Sequence, residues 1–381
     1  MDAKPGEGEI DTNLYSRQIG TFGIETMGKL IKMNVIIIGQ RGVGVEIAKN
    51  LILAGPKSVH IYDPQMVALN DLGANFYVDE SHVGKVSRAD AGLAKLQELN
   101  PYVSVSAIPD ADTLKNKIAS GDIHVVCQTE LTINNQFLDP EALDADCSSK
   151  KVGYISTATL GPWGYAFVDF GKEHIVTDHD GEQTKQFIVT MIEKGEKTKI
   201  FVHEDKRHSY QEGDHIVLRE VEGMTEINET KPLKIVSTGK HDFTVELDST
   251  GFSDYIRQGV VEDQKVPKPV EFKTWKECFL NPAAASQFGM LETPDLSKFG
   301  RSEQLHAALV GIYEYVKANN AYPGNNADNV AKVKELSAAA LKAAGEDGMQ
   351  VEVEDPVFEN AVKYAECSIS PMAAFFGGIV A

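Results

Sequence analysis

The turn Gly39-Gln40-Arg41-Gly42-Val43-Gly44 has the glycine spacing that lets a backbone wrap a diphosphate. Asp63 stands 24 residues past Gly39, close to the spacing of roughly 20 at which an acid receives a ribose hydroxyl. The chemistry on offer is anion capture, by free N–H groups and the dipole at a helix N-terminus. One residue is wrong for it. Arg41 stands where a small residue should let backbone meet phosphate. Its side chain occupies the approach, although its charge could also grip a phosphate. The competing reading is a tight strand-to-helix turn whose ligand site is degenerate, and Arg41 favours it. Asp63 could equally cap the loop that follows.

The other candidates are weaker. Arg17, in Leu14-Tyr15-Ser16-Arg17-Gln18, reads by composition as a solvated helical arginine. His174 and His179 lie near Asp178 and Asp180, and His203 and His208 flank Glu204 and Asp205, without the spacing of a metal site. Exposed polar loops explain them better. Asp178-His179-Asp180-Gly181-Glu182 lacks the spaced ligands and closing glutamate of a calcium loop. Cys127 falls in a buried strand, Cys147 follows acids that would raise its pKa, and Cys278 and Cys367 have helical neighbours. None reads as a nucleophile. A Walker lysine loop and a G-x-S-x-G elbow are both missing.

A glycine turn works only if a strand and a helix hold it. Val35-Ile36-Ile37-Ile38 reads as a buried strand, Val45 to Leu53 as an amphipathic helix and Val59-His60-Ile61-Tyr62 as a second strand. Ahead of them, Leu14 to Lys32 is predicted helical, with Leu14, Ile19, Phe22, Met27, Leu30 and Ile31 as its apolar positions. One helix is expected over Lys85 to Leu99, after an irregular stretch from Pro64 to Phe76. Strands at Val103–Ile108, His124–Gln128, Lys151–Thr157 and Tyr165–Asp169, with a short helix at Leu114–Ala119, complete a mainly parallel, doubly wound sheet.

The pattern changes near Gly171 to short strands and turns, at Phe187–Met191, Lys199–Val202, His215–Leu218, Leu233–Val236 and Phe243–Leu247. This is a small antiparallel β domain, barrel-like, with Val266-Pro267-Lys268-Pro269 as a stiff exit linker. Thr274 to Ala344 is predicted helical, notably Gln304–Lys317 and Asn329–Ala344, as a small antiparallel bundle. Asp355–Tyr364 adds a helix, and Ser370–Ala381 is an apolar helix on which the sequence stops, which suggests a truncated piece or a natural half of something larger.

The 381 residues suggest two or three domains, and 42% hydrophobic with 24% charged residues are globular proportions. A net charge of −19 argues against nucleic acid as a partner. Four scattered cysteines fit a reducing compartment, and the polar start of the chain carries no apolar leader. No segment reaches the ~20 apolar residues of a membrane span, so a cytosolic or nuclear protein is expected.

Several stretches together resemble one family. They are Leu14-Tyr15-Ser16-Arg17-Gln18, the run from Gly39 to Asn50, Gly161-Pro162 ahead of Val168-Asp169-Phe170-Gly171, Gly251 to Arg257, and Phe375-Phe376-Gly377-Gly378-Ile379-Val380-Ala381. In order and over nearly the whole chain, they resemble the N-terminal half of the ubiquitin-activating enzyme. The resemblance implies an inactive ThiF-like adenylation domain over 13–172 after a disordered tail, 1–12. It implies an inserted β domain over 173–266 (the first catalytic-cysteine half-domain), a helical bundle over 267–354 and a truncated return over 355–381.

It also implies that an active half, absent here, binds ATP and magnesium and adenylates the ubiquitin C-terminus, which a cysteine in a later domain takes as a thioester. Ubiquitin-conjugating enzymes would be met through further missing domains. Arg17 then matches an arginine that reaches the ATP phosphates of the active half. Arg41 is family-like for the inactive half, and Ala68-Leu69-Asn70-Asp71-Leu72 replaces the active half's catalytic segment. Gly39, Arg41, Gly42, Gly44 and Asp63 become a degenerate nucleotide loop, with Asp63 and Lys85 as fossils of an ATP site. No catalytic residue, cofactor or metal is expected in the chain itself, and it alone should neither adenylate nor form a thioester. Two alternatives stay open: the non-catalytic subunit of a heterodimeric modifier-activating enzyme, and a functioning nucleotide-binding oxidoreductase.

Overall fold

A computed structural model describes residues 10–131, 138–178, 181, 183–203, 207–282, 300–345 and 348–381. The chain forms two compact units, Met1–His174 with Glu271–Ala381, and Ile175–Val270.

The first unit is built on a six-stranded sheet. Its strands are β1 (Asn34–Ile38), β2 (Ser58–Tyr62), β3 (Ser104–Ala107), β4 (Val125–Gln128), β5 (Gly153–Leu160) and β6 (Trp163–Asp169), in spatial order β3-β2-β1-β4-β5-β6. The first five run parallel and β6 returns antiparallel. Ile36 and Ile37 are both fully buried although they point to opposite faces, which is why β1 reads as a continuous apolar run. One face packs Ile37 and Ile61 against Ile47 and Ile52, and the other packs Ile36 against Leu114, Ile118 and Leu143. The chain leaves β1 on one side and resumes at β4 on the other. The ends of β1 and β4 are therefore the topological switch point where such sheets bind ligands.

Several expected helices differ in extent. Helix α1 (Ser16–Leu30) breaks at Gly23, whose φ of 80° is non-helical. Of its apolar positions only Met27 is buried, while Phe22 and Ile24 are about 60% exposed. Helix α2 (Gly42–Ala54) starts inside the glycine turn rather than after it. The single helix expected over Lys85–Leu99 is two, α3 (Arg88–Ala91) and α4 (Leu93–Glu98), because Ser87 caps the first from its side chain and Gly92 closes it. Helix α5 covers Ala111–Ala119. Helix α6 (Pro140–Ser149) adds to the expected elements: its Asp139 cap and Pro140 are good start signals, but acids dilute its apolar period.

Helices α7 (Trp275–Cys278), α8 (Arg301–Asn319), α9 (Ala327–Ala343) and α10 (Asp355–Tyr364) build a second core from Trp275, Phe279, Leu309, Tyr313, Val333 and Phe358. Residues 283–299, expected to be helical, lie outside the described residues, as do residues 1–9 of the expected tail. Helix α11 (Ser370–Val380) packs along α2.

The second unit is a closed antiparallel barrel. Its strands are β8 (Gln186–Glu193), β9 (Thr198–Val202), β10 (His215–Arg219), β11 (Leu233–Thr238), β12 (Asp242–Val245) and β13 (Val260–Asp263), in the order β10-β11-β12-β9-β8-β13. Along β9 the burial alternates, Thr198, Ile200 and Val202 pointing inward, as a barrel wall requires. The closing strand β13 is too short to show alternation in sequence. The expected exit linker also differs: Lys268–Val270 forms strand β14 and pairs with β7 (His174–Val176). Pro269 is tolerated because the pair has only edge strands. Among the described residues no helix is long and apolar enough to cross a membrane.

Candidate functional site

The glycine turn sits at the switch point. Gly39 leaves β1 with a φ of 94°, a conformation that favours glycine, and its N–H donates to the Tyr62 carbonyl at 2.9 Å. Arg41 follows in extended conformation and its side chain does not cap α2. At Gly44 a Cβ would lie 2.0 Å from the Gly39 carbonyl oxygen, so the turn closes only around glycine. The local geometry of a nucleotide fold is intact.

The place for the phosphates is filled. A Cβ on Gly42 would meet Ser368 Oγ at 2.7 Å, Ala74 Cβ at 2.8 Å and Ala373 Cβ at 3.0 Å. Gly42, Val43, Gly44 and Val45 are all buried. Helix α11 lies so close to α2 that a Cβ on Gly377 would sit 2.5 Å from Glu46 Cβ, and Asn50 Nδ2 donates to the Gly377 carbonyl at 3.0 Å. The segment leading into α11 is tied down on both sides. Gly161 N–H donates to the Cys367 carbonyl at 2.7 Å, and Ser370 Oγ donates to the Gly73 carbonyl at 2.8 Å. The helix end that would attract an anion faces the chain's own residues 368–373.

Arg41 itself turns into an acidic setting. Its Nη2 donates to the Glu366 carbonyl at 3.0 Å, and its Nε lies 3.5 Å from Asp71 Oδ1 and 3.6 Å from Glu130 Oε1. Burial alone would lower its pKa, but Glu130, Tyr322, Asp71 and Glu366 outweigh that and hold it above the ordinary value. The guanidinium is a structural cation here. Closure comes from Ser368, Ala373 and Ala74, and not from the Arg41 side chain alone.

Asp63 is likewise engaged. Oδ2 accepts from Gln40 N–H at 2.9 Å and Oδ1 from Gln65 N–H at 3.0 Å, so it caps the turn and the following loop. Burial pushes its pKa up, against the pull of Arg88, whose Nη1 lies 3.8 Å from Oδ2. Arg88 also donates from Nε to Asp71 Oδ2 at 2.7 Å and from Nη1 to Gln65 Oε1 at 2.7 Å. Asp71 further accepts from Ala68 N–H at 2.8 Å. What remains open is a cavity of about 260 Å³ beside Gly39, lined by Ile38, Tyr62, Asp63, Gln65, Gln128 and Glu130. It opens at the ends of β1, β2 and β4, and Asp63 and Glu130 make its lining acidic.

The structure thus brings together Gly39, Arg41, Gly42, Gly44 and Asp63, and adds Arg88, Ala74, Ser368 and Ala373. Arg88 was hidden because a helical arginine usually points to solvent. Residues 368–373 lie more than 300 positions from the turn they cover, beyond any local pattern. Arg17 stands apart, exposed in the first turn of α1, and Lys85 is an exposed turn residue.

His208 departs from the expected exposed loop. It is 5% exposed in the barrel, with Nε2 3.1 Å from the Asp242 carbonyl oxygen and its ring packed against Tyr210 and Phe243. His174 stacks on Phe170, whereas His179, Asp180, Glu182, Glu204 and Asp205 lie outside the described residues. Among the described residues no three metal-ligating side chains cluster. Burial pushes the Cys127 and Cys147 thiols up to about 12, with Asp146 and Asp144 adding to the effect at Cys147.

Comparison with known proteins gives this architecture a family. Residues 195–265 match the ubiquitin-activating enzyme E1 FCCH domain and residues 266–340 the ubiquitin-activating enzyme E1 four-helix bundle. The chain is 37% identical over 375 residues to ubiquitin-activating enzyme E1 1 of Arabidopsis thaliana, covering 98% of this chain and 33% of that protein. It is 34% identical over 381 residues to ubiquitin-like modifier-activating enzyme 1 of Oryctolagus cuniculus, covering 100% of this chain and 34% of that one. The chain spans about a third of the length of these relatives. With a nucleotide fold, a β barrel matching the first family domain and helices matching the second, all in one continuous similarity, the chain belongs to the ubiquitin-activating enzyme E1 family.

Proposed function

We propose that this chain is the non-catalytic adenylation scaffold of an ATP-dependent ubiquitin-activating ligase. In the complete enzyme an active half binds ATP and magnesium, adenylates the ubiquitin C-terminus and passes it to a catalytic cysteine; ubiquitin-conjugating enzymes then meet further domains. This chain contributes an inactive half that pairs with the active one, the barrel that faces ubiquitin, and Arg17 toward the partner's ATP phosphates. Cytosol and nucleus are the compartments proposed for it.

The observation that carries this reading is the filled N-terminus of α2. Phosphate groups need bare N–H donors, and here Gly42 is packed against Ser368, Ala74 and Ala373. An exposed guanidinium at Arg17 suits a role outside this crevice, because its planar fork binds phosphate oxygens and spreads charge. Exposed Phe22, Ile24, Leu69, Phe76, Phe375 and Ile379 support a protein partner against this unit. Ile188 and Met191 are exposed on the barrel, where a ubiquitin surface would lie.

The test is Arg17→Ala in a complete enzyme carrying this sequence, read by ATP–pyrophosphate exchange. Removing a charge-assisted phosphate contact should lower exchange by at least tenfold, from about 1.5–3 kcal/mol. Unchanged exchange would remove Arg17 from the reading.

A further inference from the structure

Two aspartates are buried side by side where α6, the end of β6 and the start of α7 meet: Asp144 is 1% exposed and Asp169 3%. Asp169 accepts from Gly171 N–H at 2.7 Å and from Ser148 Oγ at 3.0 Å. Asp144 Oδ2 accepts from Trp275 N–H, in the first turn of α7, at 2.7 Å. Its Oδ1 is buried and receives no hydrogen bond. A buried acceptor that lacks a donor and faces another carboxyl is the arrangement one shared proton completes, because two adjacent carboxylates cannot both ionise cheaply out of water.

We propose that Asp144 and Asp169 share a proton and form a pH-operated latch on helix α7, closed while the pair holds the proton and loosened when both carboxyls are forced to ionise. What the latch holds is Trp275. It is 2% exposed, stacks on Phe279 at 4.4 Å between centroids, and meets Phe167 edge-on at 5.2 Å. Trp275 thereby joins the sheet to the helical core.

Of the surrounding charges, Glu277 adds to the rise at Asp144. On α6, Asp146 and Lys150 pair with each other, and the Cys147 thiol is pushed up by burial. On α7, Glu277 is held low by its bonds to Thr274, with Lys172 and Lys273 beyond it, and the Cys278 thiol is raised. From β5 the Tyr154 phenol stays protonated, its pKa raised by burial. Burial, with Asp169 adding to it against the pull of Trp275 N–H, pushes the Asp144 carboxyl up to about 7.

The direction of the effect follows from proton counting. An unfolded aspartate releases its proton near the ordinary value of 3.8, and Asp144 in the native chain keeps one to about 7. Between those values the native state holds one proton more, so its stability falls as pH rises, and levels off above the upper value. The folding constant loses about a factor of ten per pH unit in that window.

The sequence has two tryptophans, so in the full chain carrying Trp163→Phe, fluorescence reports Trp275 alone. Urea unfolding followed at Trp275 from pH 4 to 9 should show the Asp144→Asn chain gaining on its parent about tenfold per pH unit, and the gain should stop near pH 7. Asparagine keeps an acceptor for Trp275 N–H and cannot titrate. If Asp144→Asn fails to fold, infrared difference spectra of the unsubstituted chain decide. A protonated-carboxyl C=O band that disappears near neutral pH and persists in Asp63→Asn, which removes another buried carboxyl raised by desolvation, supports the latch. Parallel pH profiles for the two chains, or no carboxyl band titrating above pH 5, would overturn it.

Discussion

The two units solve the same problem with different interiors. The barrel is filled by Ile200, Ile216, Ile235, Phe243, Val245 and Val261, and among the described residues its buried polar side chains are Thr198, His208 and Ser249. The sheet unit buries Asp63, Asp71 and Arg88 together at the ends of its strands, with Asp144 and Asp169 elsewhere. Buried charge is costly to desolvate and is weak evidence for stability. The barrel shows that this chain can close a core without it. The charged cluster therefore belongs to the crevice: Arg88 pairs with Asp63 and Asp71 at the ends of the strands, where such sheets bind ligands.

This contrast can be broken at its strongest point first. Arg88→Ala would leave Asp63 buried without its cation and Asp71 with Arg41 alone, and a loss of about 3–5 kcal/mol is expected for the sheet unit in urea unfolding. A loss below 1 kcal/mol would mean that the cluster is solvated and not a closed network. Ile235→Ala should cost the barrel about 2–5 kcal/mol, but through an apolar void, with no change in pH dependence. A pH-dependent loss there would erase the distinction between the two interiors.

A smaller effect separates close approach from mere flexibility. Gly44→Ala puts a methyl against the Gly39 carbonyl oxygen and should cost about 1–3 kcal/mol or more. Gly73→Ala, where a Cβ meets nothing within 4 Å, should stay within about 0.5 kcal/mol. Equal melting temperatures for the two variants would contradict the tight turn. The smallest effect belongs to the barrel surface. Arg257→Ala removes an exposed ion pair with Glu222 and should leave the urea midpoint unchanged.

The sequence exposed what is local. The apolar run of β1, the glycines and the acid ending β2 identify the βαβ unit because strand period and turn chemistry act over a few residues. Asp355–Tyr364 is found as read, because proline at its start and an apolar period agree. Longer-range features stayed hidden. Ser368 and Ala373 reach Gly42 only after the whole chain has folded, so no spacing announces them. His208 looks like a loop residue until Tyr210 and Phe243 pack around it. Strand β13 completes the barrel by pairing with β8 and β10, which its four residues alone cannot signal. Arg17 is visible in sequence, yet its proposed role depends on a resemblance and on a partner.

The chain's own residues fill the N-terminal end of α2 at its glycine turn. Titration of the full chain with ATP and magnesium, followed by calorimetry and by the amide signals of Gly39 to Gly44, tests it directly. The filled turn predicts no saturable heat and no shifts at those amides. Micromolar binding with shifts confined to them would contradict it.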